Sequence, residues 1–93
     1  MAEVDWEKDL VLEQDPQAIL DYECPFERFL NGETLASVEL IAENCTATQR
    51  AITASSIVVR VREVRHNASV TLRVVTGSGQ QDDFTLHFTP IEK

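Results

Sequence analysis

Aromatic side chains are scarce in this chain, with four Phe, one Tyr and one Trp in 93 residues. Most are needed for a core, which leaves too few to line the ring-rich cleft of a sugar-cleaving enzyme. Histidine occurs twice, at His66 and His87, so a general base would have to be one of these two, and no nucleophile motif accompanies either. Three glycines leave no glycine-rich phosphate loop. Two cysteines, Cys24 and Cys45, leave no zinc-type spacing. No apolar run approaches the roughly 18 residues of a membrane-spanning helix. Cations are few as well: eight Lys and Arg face sixteen Asp and Glu, a net charge of −8. A chain of that sign repels a phosphate backbone, which excludes nucleic-acid binding through a basic groove.

The charge is uneven. Residues 1–43 hold twelve of the sixteen acids but only Lys8 and Arg28 among the bases, a net of −10, while the remaining fifty residues carry +2. The acidic half reads first as a solvated face and second as a surface for a basic protein. The opening Met1-Ala2-Glu3-Val4-Asp5 is acidic where a secretory leader would be basic and then apolar. That reading places synthesis and folding in a reducing cytosol, with Cys24 and Cys45 as free thiols. The tripeptides Asn44-Cys45-Thr46 and Asn67-Ala68-Ser69 match a glycosylation acceptor, which has no use without export.

Composition is otherwise that of a folded protein, 43% hydrophobic and 26% charged. At this length one domain, residues 1–93, accounts for the whole chain. Its strongest pattern has a period of two. Leu20, Tyr22, Cys24 and Phe26 alternate with Asp21 and Glu23, as in a strand with one buried face. The alternation returns at Ile57, Val59 and Val61, at Val70, Leu72 and Val74, and at Phe84, Leu86 and Phe88. Shorter versions occur at Val38, Leu40 and Ala42, and less regularly at Val4, Trp6, Leu10 and Leu12. Seventeen of the last fifty residues are Val, Ile or Thr, which favour a pleated sheet over helix.

Turns fall between these runs, at Asn31-Gly32, around Asn67 and at Gly77-Ser78-Gly79. Residues 69–90 therefore read as a hairpin with its loop near 77–81. Pro25 should end its strand or mark an edge, because proline cannot donate to the ladder. Phe26, Phe29 and Leu30 stand at helical spacing and predict one helical turn near residues 26–31 that covers the core. The pattern as a whole predicts an all-β fold, an immunoglobulin-like antiparallel β-sandwich of six or seven strands. Cys24 and Cys45 are too close in sequence for the bridge of antibody domains, so the architecture is expected without that lineage.

The search for chemistry yields little. His66 lies beside a turn and His87 points outward on the last strand. Asp82, Asp83 and His87 form the nearest approach to a metal cluster, but residues 83 and 87 on one strand face stand about 13 Å apart. We assign no catalytic, cofactor-binding or metal residue. Trp6 suits either the core or an exposed anchor for a partner. Trp6, Phe26 and Phe29 are taken as core.

One stretch is more specific. Asp15-Pro16-Gln17-Ala18-Ile19-Leu20-Asp21-Tyr22 is followed by Phe26 and by Phe29-Leu30-Asn31-Gly32-Glu33-Thr34-Leu35-Ala36-Ser37. A Thr-x-Arg-Val strand at Thr71 to Val74 and Asp82-Asp83 at the start of the last strand complete the pattern. In these features, over about residues 5–89, the chain resembles the small immunoglobulin-like structural proteins of tailed bacteriophages. It departs from them in carrying Phe26 and Phe29 where tryptophan is frequent, and Arg62 to Asn67 where a glycine-rich connection is usual. The resemblance implies a non-enzymatic virion component that binds head, neck or tail proteins, with copies grouped by the particle's symmetry and with no membrane or direct nucleic-acid partner. The competing reading is a small acidic inhibitor that imitates nucleic acid toward a basic host protein, through Glu3, Asp5, Glu7, Asp9, Asp15, Asp21 and Glu23.

Overall fold

The computed structural model describes the backbone of residues 2–3 and 9–91, with side chains from Leu10 onward. Two four-stranded sheets face each other. The first contains β1 (Ala2–Glu3), β3 (Ile19–Pro25), β6 (Ser56–Arg62) and β5 (Thr46–Ile52), in the order β1-β3-β6-β5. The second contains β2 (Asp9–Gln14), β8 (Gln81–Pro90), β7 (Ala68–Thr76) and β4 (Leu35–Glu43), in the order β2-β8-β7-β4. One helical turn among the described residues, α1 (Glu27–Leu30), follows β3. The fold is an all-β sandwich.

Alternation explains the packing. Along β7 every second residue from Ala68 to Thr76 is buried, and along β6 Ile57, Val59 and Val61 are fully buried. Register places these rows opposite one another within each sheet: Tyr22 beside Val59, Cys24 beside Ile57, Leu72 beside Phe84 and Val70 beside Leu86. Between the sheets, the Tyr22 and Phe88 rings meet edge to face at 5.5 Å. Phe26 is 2% exposed, and Phe29 packs half-buried against the same cluster. Trp6 lies outside the described residues. Leu20 shares the inward parity of β3 but is 44% exposed. Ala42, near the end of β4, is exposed as well.

The turns do what their residues suggest. Asn31 and Gly32 both have positive φ, 48° and 91°, and reverse the chain after α1 at little steric cost. Asn67 takes the left-handed region before β7. Residues 77–80 connect β7 to β8, where the Thr76 and Gln80 main chains pair at 2.8 Å and the Gln80 N–H also donates to Thr76 Oγ1. Pro25 is the last residue of its strand, as its missing donor requires.

Two features were not read from the sequence. β5 is a strand with no apolar alternation, exposed from Thr48 to Ile52. The N-terminal segments add in parallel, β1 to β3 and β2 to β8, beside four antiparallel pairings. Parallel neighbours need a long connection between them, which the intervening chain provides. Both cysteines are free. Cys24 pairs in register with Ile57, whereas Cys45 precedes Thr46, which pairs with Arg62. Five residues of β6 separate the two levels, roughly 17 Å, too far for a disulfide. Burial pushes the Cys24 thiol up to about 12, so it stays protonated and inert.

Candidate protein-binding surface

The residues that carry the sequence motif build turns and clamps. Asp15 starts the turn into β3: its carboxylate accepts the Gln17 N–H at 2.8 Å and its carbonyl the Ala18 N–H at 2.9 Å, with Pro16 supplying a preset φ. Tyr22 donates its hydroxyl to Gln14 Oε1 at 2.8 Å. At the opposite end, Glu33 accepts the Ser78 N–H at 3.1 Å and the Thr34 carbonyl accepts the Gly77 N–H at 3.0 Å. The loop after α1 is thereby tied to the β7–β8 hairpin. These side chains hold the fold, so a contact surface has to be sought elsewhere.

The outer faces carry two ladders of charge. On the first sheet, Arg60 grips Asp21 with two hydrogen bonds, Nε to Oδ1 at 2.8 Å and Nη2 to Oδ2 at 3.3 Å. On the second, Arg73 grips Asp83 the same way at 3.0 and 3.3 Å and also approaches Glu39 at 3.8 Å. All five residues are outward positions on neighbouring strands, and each pair is directly opposite in register. Alternation marks them as outward in the sequence, but their pairing depends on register, which the sequence does not display. Such exposed pairs contribute little to stability and much to strand choice.

Against this arrangement the sequence candidates separate. Asp83 is turned to Arg73, and Asp82 accepts the Asp83 N–H at 2.8 Å, so the aspartates do not converge on His87. His87 is exposed on β8 and His66 in the loop before β7. No group of three or more metal-binding side chains comes together among the described residues. Of the proposed mimic acids, Asp15 and Asp21 are engaged within the fold. Glu23 shares the outer face of β3 with Asp21, and the side chains of Glu3, Asp5, Glu7 and Asp9 lie outside the described residues. Among the described residues the large exposed apolar side chains are Val11, Ile19, Leu20 and Ile52, too few to single out a binding patch. No helix among the described residues is long and apolar enough to cross a membrane.

The hydrogen bond from Arg60 holds the Asp21 carboxyl below its ordinary range, and hydrogen bonds from Ser78 do the same for Glu33. A carboxylate whose folded-state value is depressed adds stability above its unfolded value and loses it as pH falls through the folded one. Melting temperature is therefore expected to fall between about pH 5 and about pH 2. The double variant D21N/E33Q should show a shallower fall, measured by circular dichroism at a series of pH values. Equal slopes for the two proteins would refute the assignment.

Four strands end the two sheets, β1 and β5 in one and β2 and β4 in the other, and β4 and β5 lie next to each other on one side of the sandwich. A free edge offers unpaired N–H and C=O groups to another strand. No curated protein matches the chain. The family model described as podophage GP4 fiber-tail adaptor protein gp77 matches residues 14–89, starting at Gln14 and running through all the motif residues to Thr89 in β8. The chain belongs to this family, and is a tail-associated structural protein of a bacteriophage virion.

Proposed function

We propose that this protein is a non-catalytic adaptor that joins a fibre to the tail through protein contacts alone. The observation that carries this reading is the family match over residues 14–89. The fold supports it: a single sandwich whose loops are tied down at both ends and whose strand edges are open suits a spacer between larger proteins. No catalytic, cofactor or metal residue is assigned, and the net charge of −8 keeps the chain on the protein surface of the particle, away from DNA. Copies are grouped by the symmetry of the tail.

Deleting the gene from the phage tests the reading. The expected result is particles with filled heads and tails that lack fibres by negative-stain microscopy and do not adsorb to the host, restored by supplying the chain in trans. Fibres still attached to mutant particles would refute the adaptor role. Absence of the chain from purified wild-type particles would refute it as well.

A further inference from the structure

The two free edges on one side of the sandwich differ in charge. β4 ends the ladder of the second sheet with Glu39, an exposed anion that reaches Arg73 only at 3.8 Å. β5 carries one charged residue, Arg50, which is exposed and sits in the bulge between Gln49 and Ala51. Thr48, two residues before Arg50 on β5, lies directly opposite Arg60, so Arg50 follows the outer row that borders the Asp21–Arg60 pair. The edge strand of one sheet therefore carries a cation and that of the other an anion.

Connectivity sets these charges at matching heights. β4 runs into Asn44-Cys45 and β5 runs out of it, so the two strands are antiparallel. Glu39 is five residues before Asn44 and Arg50 five residues after Cys45, each about 17 Å from the turn at strand spacing. A two-fold axis parallel to the strands would turn a second copy so that its β4 faces β5, and its β5 faces β4. Strand direction is preserved by that rotation, so both new pairings are antiparallel. The outer face of each sheet then continues into the outer face of the other copy's opposite sheet, and Glu39 of one copy meets Arg50 of the other twice. Joining like edges with the axis at the level of these charges would set Glu39 against Glu39 and Arg50 against Arg50, which is unfavourable.

We propose that the β4 and β5 edges are a self-complementary docking surface for a second copy of this chain, forming a two-fold dimer in which each sheet extends from four strands to eight. The proposal deepens the reading that copies group in the particle, and names the edge they use. Pairing would also close edges that natural sandwiches otherwise leave as an aggregation hazard.

Sedimentation of the purified full chain tests it independently of fibre attachment. Wild type should sediment at twice the mass of the chain at micromolar concentration. Arg50→Glu and Glu39→Arg should each weaken the dimer by about tenfold or more, since two cross-strand contacts turn from attraction to repulsion. An equimolar mixture of the two variants should dimerise again, because in the mixed dimer one contact keeps the native Glu39–Arg50 pair and the other joins the two substituted positions with their charges exchanged. Unchanged circular dichroism keeps misfolding apart from lost association, and both sites are exposed strand edges where substitutions disturb folding little. A monomeric wild type, or single variants that dimerise as well as wild type, would overturn the proposal whatever the fibre assay shows.

Discussion

Truncating Phe84 to alanine is expected to cost about 3–5 kcal/mol of stability, the largest loss from any single substitution considered for this protein. Phe84 is 5% exposed on β8 and meets two other rings edge to face, Phe26 at 5.0 Å and Phe29 at 5.3 Å. Each such pair adds about 0.5–1.5 kcal/mol beyond the area it buries. The ring also seats α1, a four-residue turn far too short to hold itself. Its own hydrogen bonds are few, Leu30 N–H to the Phe26 carbonyl and Asn31 N–H to the Glu27 carbonyl. Loss of the ring should therefore do two things at once: lower the urea midpoint and expose the Leu30 and Asn31 amides to solvent exchange. Phe29→Ala, at a half-buried position, should cost less. A Phe84→Ala variant within about 1 kcal/mol of wild type would show that the lid and the core are not joined through this ring.

That hub was half legible in the sequence. The spacing of Phe26, Phe29 and Leu30 announced a helical turn, and the alternation of Phe84, Leu86 and Phe88 announced a strand. Their meeting could not be seen, because it is set by where the turn after β3 returns the chain over the other sheet. The same division holds throughout the molecule. β3, β6, β7 and β8 are legible because they are flanked by neighbours and bury a face, which forces a period of two on their residues. β5 escapes because it is an edge. Its one neighbour, β6, satisfies its backbone on one side, and with Thr48 to Ile52 exposed there is no pressure to alternate, so Thr, Ala and Gln follow one another freely. The parallel joining of β1 and β2 leaves no local trace either, since a parallel pair has no turn to mark it.

The binding surface was harder to read for a related reason. The residues with the most recognisable spelling, Asp15 to Tyr22 and Asn31 to Ser37, turn out to be turn-formers and clamps, so they identify the family without marking where a partner sits. The charges that distinguish the edges, Glu39 and Arg50, are ordinary in sequence. They gain meaning only when topology sets β4 and β5 on the same side of the sandwich and the outer ladders of Asp21–Arg60 and Arg73–Asp83 lead up to them. The charge imbalance between the two halves of the chain was legible, but it is partly internal: Asp21 of the acidic half neutralises Arg60 of the other.

Gln14 carries the second large effect, and it was not singled out among the predicted core positions. It sits at the end of β2 with 1% exposure, where an unpaired amide would be costly. Its amide is instead fully used across the sandwich. Nε2 donates to the Val61 carbonyl on the opposite sheet at 2.8 Å and to the Ala18 carbonyl at 3.2 Å, while Oε1 accepts the Tyr22 hydroxyl. Burial raises the Tyr22 pKa, which keeps the phenol a donor. Replacing Gln14 by leucine keeps similar bulk but leaves the Tyr22 hydroxyl without its acceptor and removes the amide hydrogen bonds to the Val61 and Ala18 carbonyls. The expected loss is about 2–4 kcal/mol, from ~1–3 kcal/mol for the orphaned hydroxyl and ~1 kcal/mol for the lost hydrogen bond to Val61. Tyr22→Phe alone orphans only Oε1 and should cost about 1–3 kcal/mol. The double variant Q14L/Y22F removes both ends of one hydrogen bond, so its loss should fall short of the summed single losses by about 0.5–3 kcal/mol. Urea unfolding of all four proteins closes the cycle. Strict additivity would show that the amide and the phenol act separately.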